Sequence, residues 1–353
     1  MGKTKFINVV SGKGGTGKTL LCTILADLLG NQNISVLVID MDIFVRGLTA
    51  LLYFHKGESL RLVNDQDDMT VSDFFNMERK ESIKNMPNLA IHKYRSFDIV
   101  PAVSRIDQMF EIEEEMYFEG KRNHMVFHMI RDSIPLEKYD YVLFDCRAGY
   151  DSLVSTIHRK SDITICVQEE DDISEITANN LISQLERESS RKFIFKLVNK
   201  ARNIKTFEEL ERKQKKGITS IGYIPFDMDV MNSFGENSFW DDISRTLYKA
   251  AVSEAWNKLA SKAELPHKLY YKRYSPLISE KMERSFGIIG QKDRMVAFMG
   301  LLLAIMGLLY FSLGKGLVFY LAERPDMLIS ILISIMGTVM FLFSFFRKPK
   351  RDR

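Results

Sequence analysis

From Phe6 to about Leu259, short apolar runs alternate with amphipathic stretches of helix length. Most of the runs are continuously apolar, a pattern typical of strands that are buried on both faces of a parallel sheet. The seven predicted strands are Phe6–Val10, Ser35–Ile39, Phe97–Val100, Tyr141–Phe144, Ile163–Val167, Phe193–Val198 and Ile221–Ile224. Because helices alternate with these strands, the pattern predicts right-handed crossovers and a three-layer α/β domain with a mostly parallel sheet.

One stretch inside this domain has a different character. Residues His55 to Asn88 are polar and lack a strong hydrophobic period. We interpret this stretch as an insertion.

Two hydrophobic segments near the C-terminus, Met295–Gly314 and Met327–Phe346, are each 20 residues long and carry no charge. At a rise of about 1.5 Å per residue, each helix would span roughly 30 Å, the thickness of a bilayer's hydrocarbon core. The second segment holds twelve Leu, Ile, Val or Phe residues, which favour insertion by about 4–7 kcal/mol. We expect a transmembrane hairpin, since the alternative, a pair of buried core helices, rarely runs this long without a charge.

Basic residues flank the two segments and are scarcer between them. Those outside are Lys281, Arg284, Lys292, Arg294, Arg347, Lys348, Lys350, Arg351 and Arg353, against Lys315 and Arg324 in the loop. Cytoplasmic flanks of membrane helices are rich in Lys and Arg, so both termini and the α/β domain are expected in the cytoplasm, at the inner (plasma) membrane. The predicted domains are 1–265, the α/β domain; 266–294, a basic connector; 295–346, the hairpin; and 347–353, a basic tail.

The aromatic and basic run from Tyr270 to Tyr274 lies in the connector. It is typical of a juxtamembrane belt. It also resembles the tyrosine-containing tail of bacterial tyrosine kinases.

Composition adds little about partners. The formal net charge of +3 gives no reason by itself to expect nucleic acid. The three cysteines, Cys22, Cys146 and Cys166, form no metal-binding pair and no disulfide framework, which favours a reducing compartment.

The strongest chemical signal is the run Gly12-Lys13-Gly14-Gly15-Thr16-Gly17-Lys18-Thr19. It matches the phosphate-binding pattern G-x-x-x-x-G-K-T, placed after a predicted strand and at the start of a predicted helix. Glycines let the backbone turn its N–H groups toward phosphate, and the helix N-terminus adds a positive dipole. Lys18 would contact the β- and γ-phosphates of ATP, and the Thr19 hydroxyl would bind Mg²⁺.

The additional lysine, Lys13, gives this loop a resemblance to the deviant Walker A motif of the ParA/MinD family of ATPases. The resemblance covers roughly residues 3–260. It implies a P-loop NTPase fold, binding of ATP and Mg²⁺, and slow or partner-stimulated ATP hydrolysis. It also implies that Lys13 contacts phosphate across a homodimer, with ATP bridging the two subunits.

Further segments resemble family motifs in the same order along the chain. They are Val36–Asp42, Phe97–Ala102, Tyr141–Asp145, Val198-Asn199 and Ile224–Asp227. The resemblance implies that Asp42 positions the attacking water, that Asp40 and Asp145 support Mg²⁺, and that Asn199, Pro225 and Asp227 hold the adenine. Carboxylates at strand ends can also cap turns, and a polar residue such as Asn199 is common after a strand.

Two residues depart from the family pattern. Arg147 replaces the proline of switch II, and Gly47 stands where MinD-like proteins often carry asparagine. Either change could alter how hydrolysis is coupled to movement.

Three functions compete for this sequence. The first is a membrane-anchored, ATP-dependent dimerisation switch that recruits or regulates an unidentified partner protein. The second is a bacterial-type tyrosine kinase, although those proteins usually carry their membrane spans before the kinase domain. The third is ParA-like DNA partition or positioning, which conflicts with permanent anchoring and with the lack of an obvious basic DNA-binding block.

Overall fold

The structure is a computed structural model of the chain, which divides into the units Met1–Arg273 and Tyr274–Arg353. Within the first unit it describes residues 3–56, 68–77, 88–105, 119–189, 193–202, 219–236, 238–244 and 246–271. The predicted hairpin, the basic tail and most of the predicted connector lie outside the described residues.

An eight-stranded sheet forms the centre of the first unit. The described strands are β1 (Lys5–Ser11), β2 (Val36–Asp40), β3 (Asp68–Met69), β4 (Asn88–Leu89), β5 (His92–Tyr94), β6 (Phe97–Val100), β7 (Tyr141–Ala148), β8 (Ile163–Glu169), β9 (Phe193–Ala201) and β10 (Thr219–Pro225). The order in the sheet is β10-β9-β8-β1-β7-β2-β6-β5, while β3 and β4 pair separately. All pairs in the large sheet are parallel except β5 with β6.

Helices cover both faces of this sheet. The described α-helices are α1 (Lys18–Gly30), α2 (Gly47–Lys56), α3 (Val71–Asn76), α4 (Gly120–Asp132), α5 (Ser152–Lys160), α6 (Asp172–Glu188), α7 (Met228–Ser233), α8 (Phe239–Ser244) and α9 (Tyr248–Lys262). Alternate residues of β2 enter two separate hydrophobic cores, Val36 and Val38 on one face, Leu37 and Ile39 on the other. The first core includes α1 and α9, and the second includes α3 to α6. The predicted three-layer α/β fold is confirmed.

All seven predicted strands are present, because each is apolar enough to be buried between two helix layers. The prediction missed β5, where only Tyr94 is buried and the neighbouring His92 and Lys93 are polar. As an antiparallel edge strand, β5 needs no continuous apolar run.

The stretch interpreted as an insertion differs from that interpretation over residues 68–77. Here α3 buries Phe74 and Phe75, which are 0% and 1% exposed, in the second core. The Asp73 carboxylate accepts a hydrogen bond from the backbone N–H of Thr70 at 2.8 Å and fixes the start of the helix. A short helix with few apolar residues gives little periodic signal. The hydrophobic pattern therefore did not predict that α3 belongs to the core.

The packed domain also extends beyond residue 265, the predicted boundary. Leu265 and Leu269 are 7% and 2% exposed and join the first core. The indole of Trp256 donates to the carbonyl of His267 at 3.0 Å. The side chain of Asn257 donates to the Leu269 carbonyl at 2.8 Å and accepts from its N–H at 2.7 Å.

Among the helices that the structure describes, none is long and apolar enough to cross a membrane. The two predicted spans are outside that set.

A buried ion pair joins α1 to α9. Asp27 is 0% exposed, and its carboxylate lies 3.0 Å from the Lys249 ammonium. Ser96 donates a hydrogen bond to Asp27 at 3.0 Å, and Arg95 lies 3.5 Å away. Removing one partner of a buried pair leaves a charge without full compensation.

We therefore expect Lys249→Met to lower the free energy of unfolding by about 2–4 kcal/mol, somewhat less than a fully isolated charge because Arg95 and Ser96 remain. Urea unfolding followed by tryptophan fluorescence measures it. Lys258→Met is the matched control on the same helix, since Lys258 pairs with Glu254 at the surface, and it should change stability by less than about 0.5 kcal/mol. Equal effects of the two changes would contradict the assigned importance of the buried pair.

Candidate nucleotide-binding site

The loop between β1 and α1 is a tight turn at a helix N-terminus. Gly15 and Gly17 have positive φ values of 77° and 88°, which glycine adopts without strain. Gly12 lies against the backbone of α6 at Thr177, where an added Cβ atom would collide. Gly14 is exposed at the crest of the loop. The predicted phosphate loop thus has the arrangement in which backbone N–H groups and a helix dipole attract an anion.

Lys18 begins α1 and folds back toward the end of β1. Lys18 is 9% exposed, and its ammonium donates to the hydroxyl of Ser11 at 3.0 Å. That hydroxyl in turn donates to the carbonyl of Lys13 at 2.7 Å. The positive charge is therefore held beside the loop, where the sequence predicts a phosphate-binding lysine.

Two carboxylates lie side by side in the carboxyl-terminal halves of adjacent strands. Asp40 of β2 pairs in register with Asp145 of β7, and they are 0% and 2% exposed. Burial raises the pKa of both carboxyl groups, and the negative charge of Asp145 raises the pKa of Asp40 further. A cation at this position would stabilise the two ionised carboxylates together.

The hydrogen bonds divide the predicted metal ligands into two roles. Asp40 Oδ1 accepts from the Asp42 N–H at 3.1 Å, and its Oδ2 accepts from the N–H and the hydroxyl of Thr49 at 2.8 and 2.7 Å. A hydrogen bond with the Thr19 side chain lowers the pKa of Asp145, whose Oδ1 is buried and has no hydrogen-bond partner among the described residues. Thr19 and Asp145 therefore fit direct Mg²⁺ ligands, while Asp40 fits a supporting position.

Such an ion would need further ligands. No group of three or more His, Cys, Asp or Glu side chains suited to a metal occurs in the described part of the chain. Phosphate oxygens and water molecules commonly complete the coordination of Mg²⁺ at nucleotide sites. The residues present fit a metal that arrives with a nucleotide.

Asp42 follows β2 at the same edge of the sheet. Its carboxylate accepts from the backbone N–H of Val45 at 3.1 Å, and the neighbouring Phe44 and Val45 are 43% and 77% exposed. Asp42 thus lies on an accessible loop beside the two buried carboxylates. Its role in orienting water stays a prediction.

Lys13 occupies a different place from Lys18. Its ammonium lies 2.8 Å from Glu169 and 2.9 Å from Asp171, at the end of β8, and its side chain is 30% exposed. Hydrogen bonds to Asp171 and Glu169 raise the pKa of Lys13. The two lysines of the loop therefore do not share one binding point.

The three residues predicted to hold adenine lie at the ends of β9 and β10. Asn199 is 0% exposed, and its amide donates to the carbonyl of Thr16 at 2.8 Å. Pro225 ends β10. Asp227 caps α7 by accepting from the N–H groups of Asp229 and Val230 at 3.0 and 3.2 Å. The structure brings Asn199 directly to the phosphate loop, and contact of all three with adenine stays a prediction.

Two charged residues that no sequence motif indicates, Lys200 and Glu169, surround this loop. The Lys200 ammonium lies 2.5 Å from the carbonyl of Gly15 and 2.7 Å from Glu169. Burial would raise the pKa of Glu169, but hydrogen bonds from Lys13 and Lys200 lower it below its usual range. A signal existed in the acidic run that follows the predicted strand ending at Val167, yet nothing in the sequence links that run to the loop.

The structure shows which groups surround Arg147 and Gly47, the two departures from the family pattern. The Arg147 guanidinium lies 5.1 Å from the ring centre of Phe44 and 3.8 Å from Asp151, so it links the segments after β2 and β7. A Cβ atom on Gly47 would lie 3.2 Å from the Thr19 hydroxyl. A side chain at position 47 would therefore crowd a predicted metal ligand.

The sheet order, the loop and the paired carboxylates define an α/β protein with the P-loop NTPase fold. A family model described as an AAA domain matches residues 4–195, more than half of the 353 residues. The chain belongs to that AAA domain family.

Curated relatives include MinD proteins. The chain is 27% identical over 244 residues to the putative septum site-determining protein MinD of Mesostigma viride, across 65% of this chain and 74% of that protein. Matches at 28% identity to MinD proteins of Oltmannsiellopsis viridis, Nephroselmis olivacea and Synechocystis sp. span 40%, 46% and 47% of those proteins, less than half of their length.

Solved structures share the fold. A putative plasmid partition protein of Borrelia burgdorferi bound to AMPPNP has a TM-score of 0.55 at 18% identity, over 74% of this chain and 100% of that one. MinD of Pyrococcus horikoshii complexed with Mg-ADP has a TM-score of 0.53 at 19% identity, over 75% and 100%. The MinC:MinD complex of Aquifex aeolicus has a TM-score of 0.51 at 21% identity, over 77% and 99%.

The position of Lys18 generates a test. Lys18→Ala should weaken ATP binding by about 10- to 100-fold, equivalent to about 1.4–2.8 kcal/mol, because a charge-assisted contact with phosphate is lost. Isothermal titration calorimetry measures it. Lys5→Ala is the control, since Lys5 begins β1, the strand that leads into the loop, and pairs with Asp162. ATP binding as tight in Lys18→Ala as in the parent would show that the site is misassigned.

Proposed function

We propose that the chain is a membrane-anchored ATPase whose ATP-bound form dimerises and recruits or regulates a partner protein. The observation that carries this proposal is the separation of two lysines on one phosphate loop. Lys18 is buried beside Ser11, whereas Lys13 is partly exposed at the end of β8. One lysine suits the subunit's own nucleotide, and the other is accessible to a second molecule.

ATP with Mg²⁺ is the proposed ligand. The unpartnered Asp145 Oδ1, the Thr19 hydroxyl and the Lys18 ammonium support a cation site beside a phosphate site. Two solved proteins of the same fold are bound to AMPPNP and to Mg-ADP. When bound, Mg²⁺ neutralises phosphate charge and stabilises the charge that develops as the γ-phosphate leaves.

Hydrolysis is assigned to a water molecule oriented by Asp42. Its carboxylate follows β2 next to the buried Asp40, and its surroundings include the exposed Phe44 and Val45. Ile43 packs in the second core, whereas the exposed Phe44 and Val45 beyond it are not held by core packing. We therefore propose slow hydrolysis that a bound partner accelerates by ordering this loop.

The dimer is proposed to bring Lys13 to the phosphates of the other subunit. Within one subunit, Lys18, Mg²⁺ and the backbone N–H groups already serve the phosphates, so a second loop lysine is most useful across an interface. Contact through the γ-phosphate makes association depend on nucleotide state.

A partner protein would bind the ATP-bound dimer. One protein of this fold was solved as a complex with MinC. The present chain exposes large apolar side chains on the segments that follow β2 and β8, among them Val45 at 77%, Ile173 at 69% and Ile176 at 59%. Exposed apolar groups of this size favour an interaction surface near the nucleotide.

Membrane anchoring in the proposal rests on the sequence. Residues 295–314 and 327–346 are charge-free and long enough to span a bilayer, and basic residues flank them. A hairpin would keep the ATPase domain at the membrane in every nucleotide state. Confinement to two dimensions raises the effective concentration of subunits and assists dimerisation.

Nucleotide-dependent dimerisation is the central test. Asp42→Ala, which should slow hydrolysis, is expected to give a dimer with ATP and a monomer with ADP. Adding Lys13→Ala should abolish the dimer while each monomer still binds ATP, since Lys18 remains. Light scattering of a chain ending at Gly287 measures the mass, and calorimetry checks binding.

Two outcomes would contradict the switch. An ATP-dependent dimer that persists with Lys13→Ala would refute a role of Lys13 across the interface. A dimer that forms equally with ATP, ADP and no nucleotide would remove the switch itself.

The membrane hairpin has its own test. The full chain should remain in the membrane pellet after washing with alkaline carbonate, because its apolar segments are inserted in lipid. The chain ending at Gly287 is the control and should be soluble without detergent. Release of the full chain by carbonate would refute an integral hairpin.

A further inference from the structure

Two consecutive residues at the end of β9 hold two consecutive carbonyl groups of the phosphate loop. The Asn199 side-chain amide donates to the carbonyl of Thr16 at 2.8 Å. The Lys200 ammonium donates to the carbonyl of Gly15 at 2.5 Å. The loop is thus fixed from outside at its turn, by a strand that lies far from it in sequence.

Anchoring these carbonyls sets the direction of the neighbouring N–H groups. In a planar trans peptide, the C=O and N–H groups point in opposite directions. The carbonyl of Gly15 shares a peptide with the N–H of Thr16, and the carbonyl of Thr16 shares one with the N–H of Gly17. With both carbonyls turned toward β9, both N–H groups turn away from it, which leaves them free to bind phosphate.

We call Asn199 and Lys200 the loop brace, and Asn199 is itself fixed by its neighbours. Asn199 is 0% exposed, and its side-chain oxygen accepts from the backbone N–H of Lys200 at 3.0 Å and from the hydroxyl of Tyr248 at 3.3 Å. Tyr248 is 3% exposed and begins α9. A Cβ atom at Gly17 would collide with the Asn199 amide, so the glycine permits the close approach.

The backbone of Lys200 has an unusual conformation at this contact. It has a positive φ of 57°, a conformation that residues other than glycine rarely adopt. Its ammonium also pairs with Glu169 at 2.7 Å. Strained backbone of this kind persists only where the surrounding structure holds it, and here it lies directly against a predicted ligand site.

We propose that Asn199 and Lys200 are positioning residues that keep the phosphate loop in its binding shape, and that Tyr248 orients Asn199. The inference rests on the nucleotide-binding part of the proposed function and not on dimerisation. It differs from the role in holding adenine that the family resemblance implies for Asn199. A base contact would change which nucleotide binds, whereas a loop brace changes how tightly any diphosphate binds.

The experiment measures binding of ADP, GDP and inorganic pyrophosphate to the full chain in detergent by calorimetry. Asn199→Ala and Lys200→Met should each weaken ADP and pyrophosphate by about tenfold, or about 1.4 kcal/mol. The ratio of ADP to GDP affinity should stay unchanged. Tyr248→Phe should cause a smaller loss, about threefold, and Lys200→Arg should restore affinity because it keeps a cationic donor.

Controls separate the brace from charge and from general stability. Asn199→Ala changes no charge, so its effect on pyrophosphate cannot be Coulombic. Lys196 lies on the same strand, but its ammonium donates to Asn179 of α6. Lys196→Met should therefore leave ADP affinity unaltered. If Asn199→Ala does not fold, Lys200→Met decides, since the Lys200 side chain is 20% exposed.

Three results would overturn the proposal. Unchanged pyrophosphate affinity in Asn199→Ala with a lost preference for ADP over GDP would assign Asn199 to the base. Unchanged affinities in Lys200→Met and Tyr248→Phe, beside a parent that binds ADP, would leave these contacts as packing only. A parent that binds neither ADP nor pyrophosphate would refute nucleotide binding itself, and the brace with it.

Discussion

The electrostatics of the whole site depends on two carboxylates that are buried side by side. Asp40 and Asp145 are brought together by the in-register pairing of β2 with β7, so neither can be moved without disturbing the centre of the sheet. Burial raises the pKa of both groups, and the negative charge of Asp145 raises the pKa of Asp40 further. The hydroxyls of Thr49 and Thr19 and the ammonium of Lys18 oppose that rise. The phosphate loop therefore lies where negative charge is already concentrated and where a divalent cation is electrostatically favoured.

Strand direction explains why these groups converge. Seven of the eight strands in the sheet run parallel, so the segments after β1, β2, β7, β8 and β9 all begin at one edge. The phosphate loop and Asp42 follow β1 and β2. Asp40, Asp145, Glu169 and Asn199 lie in the carboxyl-terminal halves of β2, β7, β8 and β9. Ligands of open α/β sheets bind at the carboxyl ends of the strands for the same reason.

Much of this architecture could be predicted because its signals are local. A continuous apolar run identifies a buried strand by itself, and the residues from Gly12 to Thr19 carry their chemistry in one short motif. Short α3 and edge strand β5 lack such runs, and their places depend on what they pack against. Lys200 and Tyr248 were missed for a related reason. Their contacts join positions that are far apart in the sequence, 185 residues for Lys200 with Gly15 and 49 for Tyr248 with Asn199.

The last described helix, α9, ties several of these parts together. Its first residue, Tyr248, bonds to Asn199 behind the phosphate loop, and the next, Lys249, pairs with the buried Asp27 of α1. About two turns further on, Trp256 and Asn257 bond to the backbone of the segment that follows α9. A shift of α9 would therefore break a buried ion pair, which is strongly unfavourable. The side chain that contacts the phosphate loop, the helix that follows the loop and the segment after α9 are thus all bonded to one helix.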